Sequence, residues 1–312
     1  TTLALQLARA LDCRVEDLFA LAPSGADSLE VELAPGDESA RVILARVAGR
    51  WVGHRVRDPR IGADGVLVGP RTVRPLADVA SLERNVLVAG CAPLLGTLAD
   101  AVLRRSRDVR VRWLHANSGE ALALLERDLV HVAGLHLAAG EAADEHAALV
   151  RARFPGRRML IVNLARWRQG LVVRAGDARR VRAPSDLVRG DVRLARREDG
   201  AAAALLLERL LRGRRKRALR EAPLARSHEE VAQLVRSGVA DVGVAIEAVA
   251  ADGLGFVPLT EERFDLVMRE EVAAEPSVQR LLDALHDGAF RTEARALPGY
   301  DVSRAGEATR VA

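Results

Sequence analysis

Apolar residues recur at helical spacing at the start of the chain, at Leu3, Leu7, Ala10 and Leu11, and the pattern breaks at Asp12 and Cys13. A second short helix is predicted through Val15, Leu18 and Phe19, and Pro23, Ser24, Gly25 and Ala26 read as a linker. From Leu29 to about Val73 the pattern shortens to strands, as in Val31-Glu32-Leu33, Arg41 to Val47 and Val66-Leu67-Val68. Residues 28–81 are therefore expected to form a small β-rich segment.

From about Leu82 strands and helices alternate. Asn85 to Ala89 reads as a buried strand, Pro93 to Arg105 as a helix, Val109 to His115 as a strand, Ser118-Gly119-Glu120 as a helix start, and His131 to Leu137 as extended again. Successive strand-helix steps predict parallel pairing. Met159 to Asn163 and Gly170 to Arg174 are extended segments around Leu164 to Gln169. A second α/β set follows, with strand Val192 to Ala195, helices from about Gly200 to Leu211 and His228 to Ser237, and strand Val242 to Ile246. Phe256 to Leu259 and Arg263 to Met268 read as a return crossing, and Ser277 to His286 as one more helix. Two α/β halves joined by two extended crossings is the layout of a two-lobed, cleft-forming binder, although a single doubly wound sheet gives the same alternation. Strand-to-helix turns facing such a cleft present unpaired N–H groups and a partial positive charge, which suits an anion.

Composition narrows the choice. The 312 residues are 49% hydrophobic and 29% charged, which excludes disorder, collagen and a coiled coil. Apolar runs such as Ala201 to Leu207 fall far short of the ~20 residues a bilayer crossing needs. No basic-then-apolar leader opens the chain, so a cytoplasmic protein with no membrane partner is expected. Cys13 and Cys91 make no metal-type pair, and neither a disulfide nor a metal site is expected. The net charge of +4 is weak, and the basic residues are arginines apart from Lys216. The densest basic stretch, Arg212, Arg214, Arg215, Lys216, Arg217 and Arg220, has no interleaved aromatic residues and reads as a solvated helix end rather than a phosphate-backbone contact. The chain opens at Thr1, which suggests an N-terminal truncation.

Several motifs, in order, carry a family resemblance: Val88-Ala89-Gly90-Cys91-Ala92-Pro93, Asn117-Ser118-Gly119-Glu120-Ala121-Leu122, Val132-Ala133-Gly134-Leu135-His136-Leu137, Arg166-Trp167-Arg168-Gln169-Gly170, Gly238-Val239-Ala240-Asp241-Val242-Gly243-Val244 and Leu297-Pro298-Gly299-Tyr300-Asp301. Together they resemble the periplasmic-binding-protein-like domain found fused to bacterial helix-turn-helix regulators and to some molybdopterin-biosynthesis proteins, over residues 82–306. The resemblance implies a type II solute-binding fold used as an intracellular sensor. Its implied ligand is molybdate, tungstate or a molybdenum-cofactor-related compound, with no cofactor beyond that ligand and no catalysis. Residues 1–22 resemble the end of a Cro-repressor-like helix-turn-helix domain, whose base-reading helix would lie upstream of Thr1. A generic two-helix hairpin explains the same residues. The resulting expectation is a homodimeric, DNA-binding regulator, and the rival is a solute or molybdenum-cofactor carrier without DNA binding.

Candidate ligand residues follow from cleft-facing positions. Cys91 and Ala92 sit at a strand-to-helix turn where backbone N–H groups face an oxyanion, and the sequence shows no base paired with the thiol. Asn117, Ser118 and Gly119 offer a helix N-cap with neutral donors, and simple capping is the alternative. His136 lies near a strand end, where the alternative is a satisfied core histidine. Arg166 and Gln169 fall in the first crossing. Arg197 opens Arg197-Glu198-Asp199-Gly200, where the family usually shows a Gly-rich turn ending in Thr-Arg; the two carboxylates would repel a dianion. Ser227, with His228, opens a helix, and Asp241 precedes a strand at a turn that faces ligand or hinge in many solute binders.

Overall fold

The computed structural model describes residues 2–18, 28–36, 38–137, 143–177, 181–189, 191–212, 220–251 and 253–312. The linker predicted at 23–26 and most of the basic stretch, 213–219, lie outside the described residues. The chain divides into two compact units, residues 1–44 with 51–79 and residues 45–50 with 80–312.

In the first unit, α1 (Thr2–Ala10) is followed by α2 (Val15–Leu18). Asp12 takes a left-handed φ of 50° at the break the sequence predicts between them. α1 buries Ala8 and leaves Leu3, Leu5 and Leu7 exposed. The β-rich segment is a six-stranded sheet made of β1 (Leu29–Glu30), β2 (Glu32–Leu33), β3 (Arg41–Val47), β4 (Arg50–Arg55), β5 (Gly65–Leu67) and β6 (Thr72–Pro75). Its strand order is β1-β6-β5-β3-β4-β2. Ala48 and Gly49, with φ of 47° and 76°, join β3 to β4 through the left-handed pair that tight hairpins require.

The second unit begins with α3 (Val79–Leu82) and then builds its first lobe from β7 (Asn85–Gly90), α4 (Leu94–Arg105), β8 (Arg110–His115), α5 (Ser118–Glu126), β9 (Val132–His136) and α6 (Ala143–Arg153). β7 lies between β8 and β9 and pairs parallel with both. β10 (Met159–Arg174) leaves this lobe and enters the second, which holds β11 (Arg193–Ala195), α7 (Ala202–Leu211), β12 (Arg220–Glu221), α8 (His228–Arg236) and β13 (Val242–Ile246). β11 pairs parallel with β12 and β13. β14 (Leu254–Arg269) returns, and α9 (Glu270–Ala273), α10 (Pro276–Ala284), α11 (Gly288–Arg295), β15 (Tyr300–Asp301) and β16 (Ala308–Val311) close the chain.

The two crossings, β10 and β14, are antiparallel partners along most of their length. Hydrogen bonding therefore runs unbroken from β12 to β8, in the order β12-β11-β13-β10-β14-β9-β7-β8. The cores are mostly local to the lobes, with Ile246 at the end of β13 reaching into the first. Leu95, Leu98, Phe264, Leu281 and Phe290 pack together on the first lobe. In the second, alternate residues of β10 face opposite ways, as the strand period demands: Leu171 and Val173 pack under α7, while Val172 packs under α8 with Val231 and Val235. The register of β10 on β14 shifts between Asn163 and Ala165 and again between Gln169 and Gly170, so the irregularities bracket the stretch between lobes. The expected α/β, two-lobed type II architecture is what forms.

The interior elements match the predicted segments to within a few residues. α6 carries no such signal, because Ala143 to Arg153 mixes Asp, Glu, His and Arg with alanine. α9 and α11 are also additional to the single predicted tail helix, and the segment read as two extended pieces around Leu164 to Gln169 is one continuous strand.

Candidate functional site

Parallel strands deliver their C-terminal ends to one edge, and the loops there carry the chemistry in open α/β sheets. Cys91 follows the last residue of β7, and His136 is the last residue of β9. Their side chains meet across 45 residues of sequence, with Cys91 Sγ 3.2 Å from His136 Nε2. The other ring nitrogen, Nδ1, donates to Glu262 Oε2 at 2.9 Å, and the Trp167 indole N–H donates to the same oxygen at 3.3 Å. Glu262 comes from β14, opposite Trp167 of β10, so the crossings complete a thiol, imidazole, carboxylate line begun by the first lobe. The sequence offered Cys91 no base; the fold supplies one.

All of this is out of water. Cys91 and His136 are 3% exposed and Glu262 is 1% exposed. Burial alone would lower the His136 pKa, but the Cys91 sulfur and the Glu262 carboxylate outweigh it and push it up to about 10. The imidazole is accordingly the positive partner of a buried charge pair.

The second lobe brings His228, the first residue of α8, to the same place. Its ring centroid lies 6.4 Å from that of His136 and 5.8 Å from that of Trp167. Phe264 and Tyr300 complete an aromatic wall, with ring centroids 5.0 and 5.9 Å from Trp167. The chain has only nine Phe, Trp and Tyr residues, so three of them in one cluster is a marked concentration. His228 Nδ1 faces Arg197 Nη1 at 3.3 Å, and the guanidinium can only donate, so neutral His228 carries its hydrogen on Nε2. Burial, then Arg197 and His136, hold its pKa well below the ordinary value.

Five polar atoms here are buried without a partner: His228 Nε2, both side-chain atoms of Gln169, Glu262 Oε1 and the Tyr300 hydroxyl. Unsatisfied buried groups each cost about 1–3 kcal/mol, so a concentration of them marks a place where something else binds. Beside it, a groove of about 300 Å³ is lined by Pro93, Glu229, Ala232, Arg236, Val249 and Tyr300.

The other sequence candidates have defined places. Ala92 is fully buried behind Cys91. Asn117 caps α5, accepting from Glu120 N at 2.9 Å, and its amide reaches across the lobes to Asp199 O at 3.4 Å. Gly119 lies in the same first turn, where an added Cβ would stand 3.3 Å from Asn117 Oδ1. The Ser118 hydroxyl is committed to the backbone of His136, accepting from its N–H at 3.1 Å and donating to its carbonyl at 3.2 Å. It therefore holds the imidazole in place rather than facing a ligand. Arg197 is 4% exposed, and its guanidinium is tied to Glu198 by contacts of 2.8 and 2.9 Å, so its charge is already matched. Ser227 accepts from Glu230 N at 2.9 Å as the cap of α8. Arg166 stands on β10 opposite Arg263 and Asp301, away from the cluster's hydrogen bonds. Asp241 precedes β13, whose five residues put about 16 Å between it and the strand's other end. There it accepts from Arg193 N at 2.8 Å and Arg193 Nη2 at 2.9 Å. Glu262, Trp167, His228 and Phe264 were not among the sequence candidates. The usable signal was the scarcity of aromatics, since Trp167 lies inside a motif.

Among the described residues no helix is long and apolar enough to cross a membrane. Two relatives are similar in sequence. YvgK of Bacillus subtilis (strain 168), described as uncharacterized, is 26% identical over 180 residues, 56% of this chain and 58% of that protein. An uncharacterized protein from the 5′ region of a 2Fe-2S ferredoxin gene of Clostridium pasteurianum is 34% identical over 83 residues, 26% of this chain and 74% of that one. The match thus spans little more than half the length of YvgK. In fold, the chain is similar to a Clostridium perfringens protein described as a phosphate ABC transporter substrate-binding protein with bound phosphate. The TM-score is 0.51 at 12% identity, over 68% of this chain and 96% of that one. The family model of the PBP superfamily domain matches residues 99–286, which include His136, His228 and Glu262, and the chain belongs to that family.

Proposed function

We propose that this chain is the sensing part of a bacterial transcriptional regulator whose two-lobed domain closes on a small anionic ligand, with molybdate and tungstate the first candidates. The observation that carries the ligand reading is the set of buried, unpartnered polar atoms where the lobes meet: His228 Nε2, Gln169 Nε2 and Oε1, and Glu262 Oε1. Buried polar atoms cost free energy unless paired, so their gathering around one aromatic cluster supports a bound ligand. His228 Nε2–H and the Gln169 amide are neutral donors, the kind that hold an oxyanion without a counter-charge.

Ligand would favour the closed arrangement by its differential affinity for the two states, and the Asn117 to Asp199 contact is a ready latch between lobes. The regulatory half of the reading rests on the likeness of α1 and α2 to the end of a helix-turn-helix domain, acting in the cytoplasm as a homodimer. Calorimetric titration of molybdate, tungstate, sulfate and phosphate tests the ligand half. Heat with molybdate that is lost in Gln169→Ala supports it, and silence with all four removes it. A gel-shift on the full-length gene product tests the DNA half, and failure to bind its own promoter favours a carrier.

A further inference from the structure

We infer that Cys91, His136 and His228 form a site for a zinc-like divalent metal ion, whose open coordination position receives the anionic ligand. Among the described residues they are the one group of three metal-competent side chains, with ligand atoms all within 4.8 Å of one another and all three residues buried. An ion bound at about 2.3 Å from sulfur and about 2.0–2.1 Å from nitrogen holds its ligands about 3.3–3.6 Å apart at tetrahedral angles. Cys91 Sγ and His136 Nε2 already stand 3.2 Å apart, so small movements of His228 complete the set.

Three further observations point the same way. His136 donates its second ring nitrogen to Glu262, the carboxylate–histidine arrangement that orients metal-binding imidazoles and raises their basicity. His228 Nε2 is buried without a partner, an atom waiting for a ligand. One thiolate with two imidazoles is a donor set of borderline softness, which selects zinc-like ions over magnesium or calcium.

The inference rests on the reading that this cleft takes an anion, and it removes a difficulty in that reading. Glu262 is buried in the cluster and Glu198 is paired with Arg197, so Arg197 brings an anion no free positive charge there. A divalent ion on one thiolate and two neutral imidazoles carries +1, which the Glu262 carboxylate behind His136 offsets at a distance, and keeps a free position where an anion can bind the ion directly, as in sites with three protein ligands. Binding displaces the proton on His136 Nε2, and any proton on the Cys91 sulfur, to solvent, while Nδ1–H stays on Glu262. It also moves the His228 hydrogen from Nε2 to Nδ1, which turns away the Arg197 contact and couples the ion to the Arg197-Glu198 loop ahead of α7.

The experiment uses chelator-stripped protein titrated with zinc against a chromophoric competitor, and with cobalt as a spectroscopic substitute. One ion per chain is expected, with a thiolate-to-cobalt charge-transfer band. Cys91→Ser should abolish the band and weaken zinc by more than about 100-fold, because outer-shell partners alone are worth about 10- to 100-fold. Cys13→Ser should change neither. His228→Gln should weaken zinc, and Arg197→Gln should strengthen it by freeing Nδ1. Each variant's melting curve is recorded beside its titration, and His228→Gln decides the matter if Cys91→Ser does not fold. No uptake by the stripped protein, or uptake unchanged by both Cys91→Ser and His228→Gln, overturns the site. Molybdate binding to metal-free protein without zinc uptake defeats the metal site and spares the anion reading. Zinc uptake with no anion binding does the reverse.

Discussion

β14 carries two buried histidine–carboxylate pairs three residues apart, and they are built for different ends. Asp265 accepts from His146 Nδ1 at 2.7 Å, from Arg263 Nε at 2.7 Å and from Asn163 Nδ2 at 3.0 Å, so both oxygens are occupied and its charge is matched. Glu262 accepts from His136 and Trp167 through one oxygen only, and the other has no partner. Both carboxylates are essentially excluded from solvent. Asp265 thus has both oxygens occupied in a network that holds β14, β10 and α6 together, although His146 Nε2 and Asn163 Oδ1 within it are buried without a partner, and Glu262 keeps one oxygen open in a network that ends in a thiol and a second histidine. Burial does not separate the two carboxylates; the occupancy of their own oxygens does.

The sharpest way to break this contrast is to neutralise each carboxylate in turn. Asp265→Asn leaves the guanidinium of Arg263, itself 4% exposed, without its counter-charge, and is expected to cost about 3–5 kcal/mol. Glu262→Gln takes the counter-charge from His136, but an imidazole can release its proton where a guanidinium cannot, so it should cost less than Asp265→Asn while weakening metal uptake by about 10- to 100-fold. Urea denaturation of both variants decides. Equal losses of stability would show that the Glu262 network is structural as well.

Only part of this was legible in the sequence. The apolar runs of β7, β9 and β13 and the capped starts of α5 and α8 announce themselves, because burial on both faces and N-capping leave local signatures. The crossings announce themselves as extended segments, but not what their middles bury. Thr260-Glu261-Glu262 is polar throughout, yet Glu262 is buried because β10 and the first lobe cover that part of β14. The meeting of Cys91 with His136 is a product of sheet order, β7 beside β9, which no local pattern encodes. His228 was visible only as a neighbour of the cap Ser227, since whether a helix's first side chain faces inward depends on packing. Asp241 shows the opposite failure: its turn is local and legible, but its position at the far end of β13 is not.

A third buried histidine sharpens the comparison through pH. His131 is 2% exposed and has no carboxylate; its Nδ1 accepts from the N–H of Leu87 at 3.0 Å. Burial lowers its pKa from 6.5 to about 4. The folded chain therefore resists a proton that the unfolded chain takes up. Stability is full above pH 6.5 and falls as pH drops to about 4, by about 3 kcal/mol for this one group. Asp265 acts in the same direction over a lower range. Burial alone would raise its pKa, but His146 and Arg263 outweigh it and hold it below the usual value. Its contribution is therefore present at neutral pH and lost as pH falls through the folded value. Denaturation midpoints measured across the acid range should show a shallower upper slope in His131→Gln than in the natural chain, with His228, whose pKa is also held low, supplying the rest.

Smaller effects test the scaffold that aims the open pair. An added Cβ at Gly134, two residues before His136, would stand 2.4 Å from Phe264 Cζ and 2.9 Å from Cε1. The ring that stacks on His136 at 5.8 Å must then move. Gly134→Ala is expected to cost about 1–3 kcal/mol and to weaken ligand binding as well, since the same ring positions the imidazole. A stability loss with unchanged binding would show that Phe264 only fills space.

The finest test compares two helix caps of equal chemistry. Asn117 caps α5 and Ser227 caps α8, each by accepting one backbone N–H at 2.9 Å, so alanine at either should cost about 1 kcal/mol of stability. Asn117 differs in one respect, because its amide also reaches the Asp199 carbonyl of the other lobe. If that contact latches the closed form, Asn117→Ala lowers ligand affinity beyond its effect on stability and Ser227→Ala leaves it unchanged. Titrating the first-choice anion into both variants, at a temperature where both are fully folded, separates a latch from a cap. Equal affinities would reduce Asn117 to the second role and leave lobe closure to the groups around His228.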